Sequence, residues 1–194
     1  MFKCSKMIIG FCGYAQSGKD TCANLLLNRK DNIFKLKFAF ADSLRDFAYE
    51  LNSYLPEMEM RYQEVIDTHG YEKAKTTFPC VRKYLVSIGN GARINIGPKI
   101  WINSVKHKIK TNPAQLHLIT DVRYPNEVEF ILSHGGIVIY ITRPGIKAAN
   151  EVEEKSIQEI LVRYQISKVE NLGNFTHLEN QLDNILRNQV HSQY

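Results

Sequence analysis

Residues Met7 to Leu27, MIIGFCGYAQSGKDTCANLLL, decide how the rest of the chain is read. An apolar run ends at Gly13, four variable residues follow, and Gly18-Lys19 opens an amphipathic segment. Strand, glycine loop and helix in that order form the setting that a phosphate-binding loop of the G-x-x-x-x-G-K type needs. Glycines let the backbone curl so that its N–H groups point at phosphate oxygens. Lys19 would reach the outer phosphates, and a helix starting at Lys19 turns its positive end toward them. Where Ser or Thr normally follows the lysine the chain has Asp20, and the hydroxyl comes one place later as Thr21. A glycine turn before an ordinary helix is the plainer alternative, and the flanking strand and helix weigh against it.

Working outward, Ile33 to Phe40 (IFKLKFAF) has apolar residues at Phe34, Leu36, Phe38 and Phe40, which predicts a second strand. Asp42 can cap a following helix in which Leu44, Phe47, Ala48 and Leu51 recur at helical spacing, and Pro56 interrupts it. Residues 57–80 are polar, end in a Thr-Thr-Phe-Pro turn and read as a partly helical insertion. A helix is expected over Val81–Ile88, with Arg82 and Lys83 off its apolar face, then a sharp turn at Gly89-Asn90-Gly91. Pro98 to Ile109 predicts another helix, proline first, carrying the single tryptophan, Trp101.

Gln115 to Thr120 (QLHLIT) is a short apolar strand that runs into Asp121-Val122-Arg123. Pro125 opens a helix that stops near Gly135-Gly136, and Ile137–Thr142 (IVIYIT) is a nearly continuous apolar strand ended by Arg143-Pro144-Gly145. Such a run suits a parallel strand covered on both faces. A last strand spans Ile166–Val169, and Phe175–Leu186 closes the chain as an amphipathic helix. Alternating strands and helices predict an α/β fold, a three-layer parallel sheet flanked by helices, within a single domain over residues 1–194. Ligands in such sheets sit at the carboxyl ends of the strands. The glycine loop, Asp121 with Arg123, and Arg143 would therefore meet at one edge.

At 194 residues, 44% apolar and 23% charged, the chain is of ordinary globular composition. The run from Met7 to Cys12 is too short for a membrane span or a signal peptide. Cys4, Cys12, Cys22 and Cys80 show no C-x-x-C spacing, so reduced thiols in a cytoplasm are expected. His69, His107, His117, His134, His177 and His191 show no metal-ligand spacing, and no Ser/His/Asp set points to a hydrolase. The net charge of +5 divides unevenly: residues 151–194 carry seven acids and four bases, a net of −3, which leaves +8 in residues 1–150. That excess suits anionic ligands, nucleotides or nucleic acid alike.

The segments GYAQSGKDT (13–21), FAFADSLRDFAYEL (38–51), LVSIGNGARINIGPKIWINSV (85–105), LITDVRYPNEVEFILSHGGIVIYITRPG (118–145) and VENLGNFTHLENQLDNIL (169–186) cover 90 of the 194 residues, just under half the chain. In that order they resemble the deoxynucleoside monophosphate kinases of tailed bacteriophages, within the wider P-loop kinases. S-G-K-D-T together with D-V-R-x-P-N-E is the specific part. The resemblance implies a P-loop NTPase kinase-like fold with an acceptor-binding helical insertion around residues 42–110. It also implies transfer of the ATP γ-phosphoryl group to a (deoxy)nucleoside monophosphate with Mg²⁺. Its partners would be small nucleotides, not a membrane or a stably bound nucleic acid. A homodimer is left open, and a phage-encoded enzyme would work in the host cytoplasm. The family's His-x-S-E-like segment is absent, since Ser156 is followed by Ile157.

Phosphoryl transfer asks for positioning and positive charge around oxygens. On the resemblance, Gly13, Ser17, Gly18, Lys19 and Thr21 hold the donor phosphates, and Asp20 takes the Mg²⁺ position, although it could be a plain first-turn acid. Asp121 would hold Mg²⁺ or take charge from the attacking phosphate, or else cap the turn after its strand. Arg123 suits the acceptor phosphate bidentately. Glu127 could orient Arg123, contact the acceptor or serve the helix dipole. Arg82, a catalytic candidate, and Lys83 are expected at the acceptor phosphate, although with Arg93 they could form a solvated face. Gly89 could let a ligand approach or end a helix. Trp101 could stack on a base or belong to the core, and Arg143 could clamp phosphates, stack on adenine or precede a turn. A P-loop kinase of another small phosphorylated acceptor, such as phosphomevalonate or dephospho-coenzyme A, and a nucleotide-switched nucleic-acid-binding protein are the competing readings.

Overall fold

The apolar run Met7–Cys12 becomes β1, the central strand of a five-stranded sheet. The computed structural model describes residues 6–191, with side chains to Gln189; Cys4 and the His191 side chain, both named above, lie outside that range. The chain continues through α1 (Lys19–Leu27), β2 (Lys35–Phe38), α2 (Phe40–Leu51), β3 (Tyr54–Leu55) and, past a 3-10 turn at Pro56–Met58, β4 (Met60–Arg61). Four helices follow: α3 (Tyr62–His69), α4 (Tyr71–Thr77), α5 (Pro79–Asn95) and α6 (Ile100–Thr111). It closes with β5 (Leu116–Val122), α7 (Pro125–Ser133), β6 (Ile137–Thr142), α8 (Glu151–Arg163), β7 (Ser167–Glu170) and α9 (Phe175–His191).

Two compact units result, one of residues 1–39 with 109–194 and one of Phe40–Lys108. In the first, the strand order is β2-β5-β1-β6-β7 and every pairing is parallel. Side chains alternate across a strand. Ile9 and Phe11 of β1, Leu116 and Leu118 of β5, and Ile137, Ile139 and Ile141 of β6 therefore face one way. There they pack with Cys22, Ala23 and Leu26 of α1 and Leu178 and Leu182 of α9. The opposite face takes α7. A Cβ on Gly10 would stand 2.5 Å from Ile131 Cδ1, so the glycine is what lets that helix approach β1. The three-layer α/β architecture expected of the sequence is thus the one found. Among the described residues no helix is long and apolar enough to cross a membrane.

The second unit packs Ala48, Leu55, Tyr62, Val65, Ala74, Val81 and Leu85 into its own core. The Tyr62 and Tyr84 rings meet at 4.9 Å, tilted by 49°, and Tyr84 Oη donates to Ser53 Oγ at 2.9 Å. Arg45 lies over the Tyr71 ring at 4.4 Å.

Several boundaries move. The second strand stops at Phe38 because Phe40 already starts α2. Asp42 is therefore inside the first turn, bonded to Arg45 Nη1 at 3.0 Å, and not the cap. Pro56 opens a 3-10 turn between two short antiparallel strands, where only an interruption was expected. The turn expected at Gly89-Asn90-Gly91 is absent, since α5 runs through it to Asn95. Gly89 serves packing instead: its Cβ would come 3.2 Å from Leu44 Cδ2, so its absence lets α2 lie close. Pro98 precedes α6, which starts at Ile100.

Candidate active site

At the end of β1 the backbone takes a shape that glycine alone accepts twice. Gly13 has φ +142°, and a Cβ there would be 2.4 Å from the Ile141 carbonyl oxygen of β6. Gly18 has φ +105°, and its Cβ would be 2.2 Å from Asn171 Nδ2. Between them Gln16 sits at φ +65°, a left-handed conformation that costs a non-glycine residue about 1 kcal/mol or more. Gly18 is the N-cap of α1 and offers no side-chain cap, so the first N–H groups of the helix keep their donors for something else.

Lys19 is the buried cation of this loop, 8% exposed. Its Nζ donates to the carbonyls of Gly13 and Tyr14, each at 2.7 Å. Burial holds its pKa below the usual lysine value; the positive charge of Arg123 pushes the same way, and Glu153 and Asp20 oppose. Ser17 is 1% exposed, and its hydroxyl has no partner among the described residues. Beside the loop lies a cleft of about 380 Å³ lined by Gln16, Gly18, Lys19, Asp20, Thr21 and Arg143. Backbone donors, one ammonium, one guanidinium and one hydroxyl around such a space bind an anion of several oxygens.

Asp20 is exposed, with a carboxylate oxygen 3.5 Å from Lys37 Nζ. Among the described residues no group of three or more His, Cys, Asp or Glu side chains gathers. Mg²⁺ keeps several waters and takes one or two carboxylates plus phosphate oxygens, a donor type that the exposed Asp20 carboxylate supplies.

The carboxyl end of β5 carries an irregularity. Gly10 pairs with Ile119 but Cys12 pairs with Val122, so one extra residue is taken up at Thr120–Asp121. Such a slip re-aims the side chains beside it. Asp121, expected just after the strand, lies inside it and is half-buried. Arg123 follows with an exposed side chain, and its backbone is held on both sides. Glu127 Oε2 accepts its N–H at 2.7 Å and the Tyr124 N–H at 3.1 Å, and Ser156 Oγ donates to its carbonyl at 2.5 Å. Glu127 is 4% exposed, so of its expected roles the structure displays orientation of Arg123, through the backbone, and service to the α7 N-terminus. Arg143, directly after β6, borders the cleft.

Arg82, Lys83, Gly89 and Trp101 lie in the second unit. Arg82 and Lys83 are exposed on α5 with no ion pair or hydrogen bond among the described residues. Arg93 is half-buried on the same helix. Trp101 is 6% exposed, donates Nε1–H to the Gly89 carbonyl at 3.3 Å and meets Phe47 at 6.4 Å. It also lines an apolar hollow of about 240 Å³ with Ser43, Phe47, Ile96, Ile100 and Ser104.

Three contributors escaped the sequence. Asn171, buried, donates Nδ2–H to the Ser17 carbonyl at 2.9 Å. Glu153 and Ser156 come from α8, a helix not expected there; Asn150 caps it by accepting the Glu153 N–H at 2.9 Å. The sequence ends the last strand at Val169, so the strand-end rule that selected Arg143 falls on Glu170 and misses Asn171, the first residue after β7.

No established family profile matches the chain. A mimivirus (Acanthamoeba polyphaga mimivirus) protein named "Putative deoxynucleotide monophosphate kinase" is 33% identical over 168 residues, covering 78% of this chain and 84% of the relative. Among solved structures, a shikimate kinase from Aquifex aeolicus is 16% identical with a TM-score of 0.46, over 95% of this chain and 99% of its own. A Thermus thermophilus protein is 17% identical with a TM-score of 0.45, over 94% and 97%. Those overlaps are loose, and the fold stands on the strand order and the glycine loop.

Proposed function

Since the chain belongs to the deoxynucleotide monophosphate kinase family, we propose that it transfers the γ-phosphoryl group of Mg²⁺-ATP to the phosphate of a deoxynucleoside monophosphate, giving the diphosphate. The observation that carries this is the cleft at the carboxyl end of the central strand, where Gly18, Lys19, Asp20, Thr21 and Arg143 converge. In this role the loop amides and Lys19 bind the donor phosphates, Thr21 adds a hydroxyl, and Arg143 closes the far side. The ammonium of Lys19, now held by two loop carbonyls, exchanges them for phosphate oxygens that carry full charge. Asp20 and Asp121 are the residues that would hold Mg²⁺, which when bound neutralises charge on the phosphates.

Arg123 would grip the acceptor phosphate, its backbone fixed by Glu127 and Ser156. That phosphate is largely ionised near neutral pH, so no strong general base is required. Arg82 and Lys83, exposed on α5, would add positive charge toward an acceptor, whereas Gly89 and Trp101 are packed within the Phe40–Lys108 unit against Leu44 and Phe47. The enzyme would work in a cytoplasm, that of the host if a tailed phage encodes it.

An acceptor panel tests the proposal. ADP release from Mg²⁺-ATP should depend on at least one of dAMP, dGMP, dCMP and dTMP. Release driven by phosphomevalonate or dephospho-coenzyme A, with all four nucleotides silent, would transfer the site to another acceptor.

A further inference from the structure

Asn171 sits just past the last strand and is 5% exposed, with its backbone N–H and both ends of its side-chain amide engaged inside the fold. Its backbone N–H donates to the Thr142 carbonyl at 2.7 Å, which fixes it beside β6. Its Oδ1 accepts the Gly173 N–H at 3.0 Å, and its Nδ2–H reaches the Ser17 carbonyl at 2.9 Å. The side chain therefore has one orientation. Nδ2 occupies the space that a Cβ on Gly18 would take, so no other residue at position 18 would leave room for it.

A trans peptide points its carbonyl and the following N–H in opposite directions. Asn171 holds the carbonyl of the Ser17–Gly18 peptide, so it also sets the direction of the Gly18 N–H. That N–H donates to no group among the described residues, and Gly18 borders the cleft. A flexible loop would have to order this peptide at each binding event, and preorganisation removes that cost. We propose that Asn171 is a positioning residue for the donor phosphates: by gripping the Ser17 carbonyl it locks the Ser17–Gly18 peptide with the Gly18 N–H facing a phosphate oxygen. This role rests on the loop being the donor-phosphate site.

The test uses the full chain and inorganic triphosphate, without catalysis. Calorimetric titration gives affinity, and the Gly18 amide resonance in a ¹⁵N–¹H spectrum reports on the single N–H. Wild type should bind triphosphate with a marked Gly18 shift. Asn171→Ala should bind roughly ten-fold more weakly, the worth of one hydrogen bond held in place, and its Gly18 shift should shrink. Asn171→Ser carries the same test if the alanine variant does not fold. A purely structural role would lower thermal stability and leave affinity and the Gly18 shift as in wild type, and that result overturns the proposal. Failure of wild type itself to bind triphosphate would instead remove the donor site on which the proposal rests.

Discussion

Lys19 Nζ lies 2.7 Å from the Gly13 carbonyl oxygen, so the ammonium of the loop is held by the peptide where the strand ends. A buried ammonium bound only by neutral carbonyls carries an unfavourable desolvation cost, and an arriving phosphate relieves it. Lys19→Ala should therefore lower kcat by on the order of 100-fold or more, the scale for losing one preorganised donor to a transition-state charge. The thermal midpoint of the ligand-free protein should stay level or rise. Steady-state kinetics with differential scanning fluorimetry reads both, and wild-type-like kcat would remove Lys19 from the site.

Arg123 has its N–H tied to Glu127 and its carbonyl to Ser156, which leaves the guanidinium as the part free to meet a ligand. Arg123→Ala should raise KM for the acceptor about ten-fold or more, the scale of a charge-assisted hydrogen bond, with KM for ATP changed much less. Loss confined to the KM for ATP would place Arg123 on the donor side.

The loop that carries Lys19 was legible because its pattern is local: six apolar residues, spaced glycines and a lysine within one short stretch. The strand ends at Asp121 and Arg143 followed from equally local apolar runs, Gln115–Thr120 and Ile137–Thr142. Asn171 was not legible, since its bond to Ser17 joins positions 154 residues apart and only the sheet order brings them together. Gly89 misled for the opposite reason. Glycine marks turns by conformational freedom, but here it marks a close approach of Leu44 inside a continuous helix. Trp101 likewise has surroundings that are tertiary, set by Gly89 and Phe47.

Asp20 stands where a hydroxyl usually follows the lysine, and its carboxylate is open to solvent beside Lys37. Asp20→Ala should raise the Mg²⁺ concentration needed for half-maximal rate by roughly ten-fold, since one of the one or two protein carboxylates on the ion is lost. A magnesium titration at saturating ATP measures this. An unchanged requirement would return Asp20 to the role of a first-turn acid.

His117 is fully buried in β5, edge-on to Phe38 at 6.0 Å, and both its ring nitrogens lack partners among the described residues. Burial first, and the charge of Lys6 second, hold its pKa below the ordinary 6.5. The unfolded chain therefore binds this proton more readily, so stability is lost as pH falls below about 6.5 toward the folded pKa. Melting temperatures across that acid range should fall less steeply for His117→Leu than for wild type. Parallel curves would show that His117 does not titrate on unfolding.

Burial pushes the Cys12 thiol up to about 12 and the Cys22 thiol up to about 11, whereas Cys80 is half-buried. The thiolate is the reactive form. A native-state thiol reagent should therefore label Cys80 well before Cys12 or Cys22, as peptide mapping would show. Early labelling of Cys12 would mean that the end of β1 opens readily.

The central claim is phosphoryl transfer to a deoxynucleoside monophosphate at this loop. Incubation with γ-labelled Mg²⁺-ATP and each of the four acceptors in turn, with Lys19→Ala as the blank, follows the label directly. Label should appear in the β-position of at least one deoxynucleoside diphosphate with wild type and not with the variant. Label that stays in ATP or emerges only as inorganic phosphate, whatever the nucleotide offered, would contradict it.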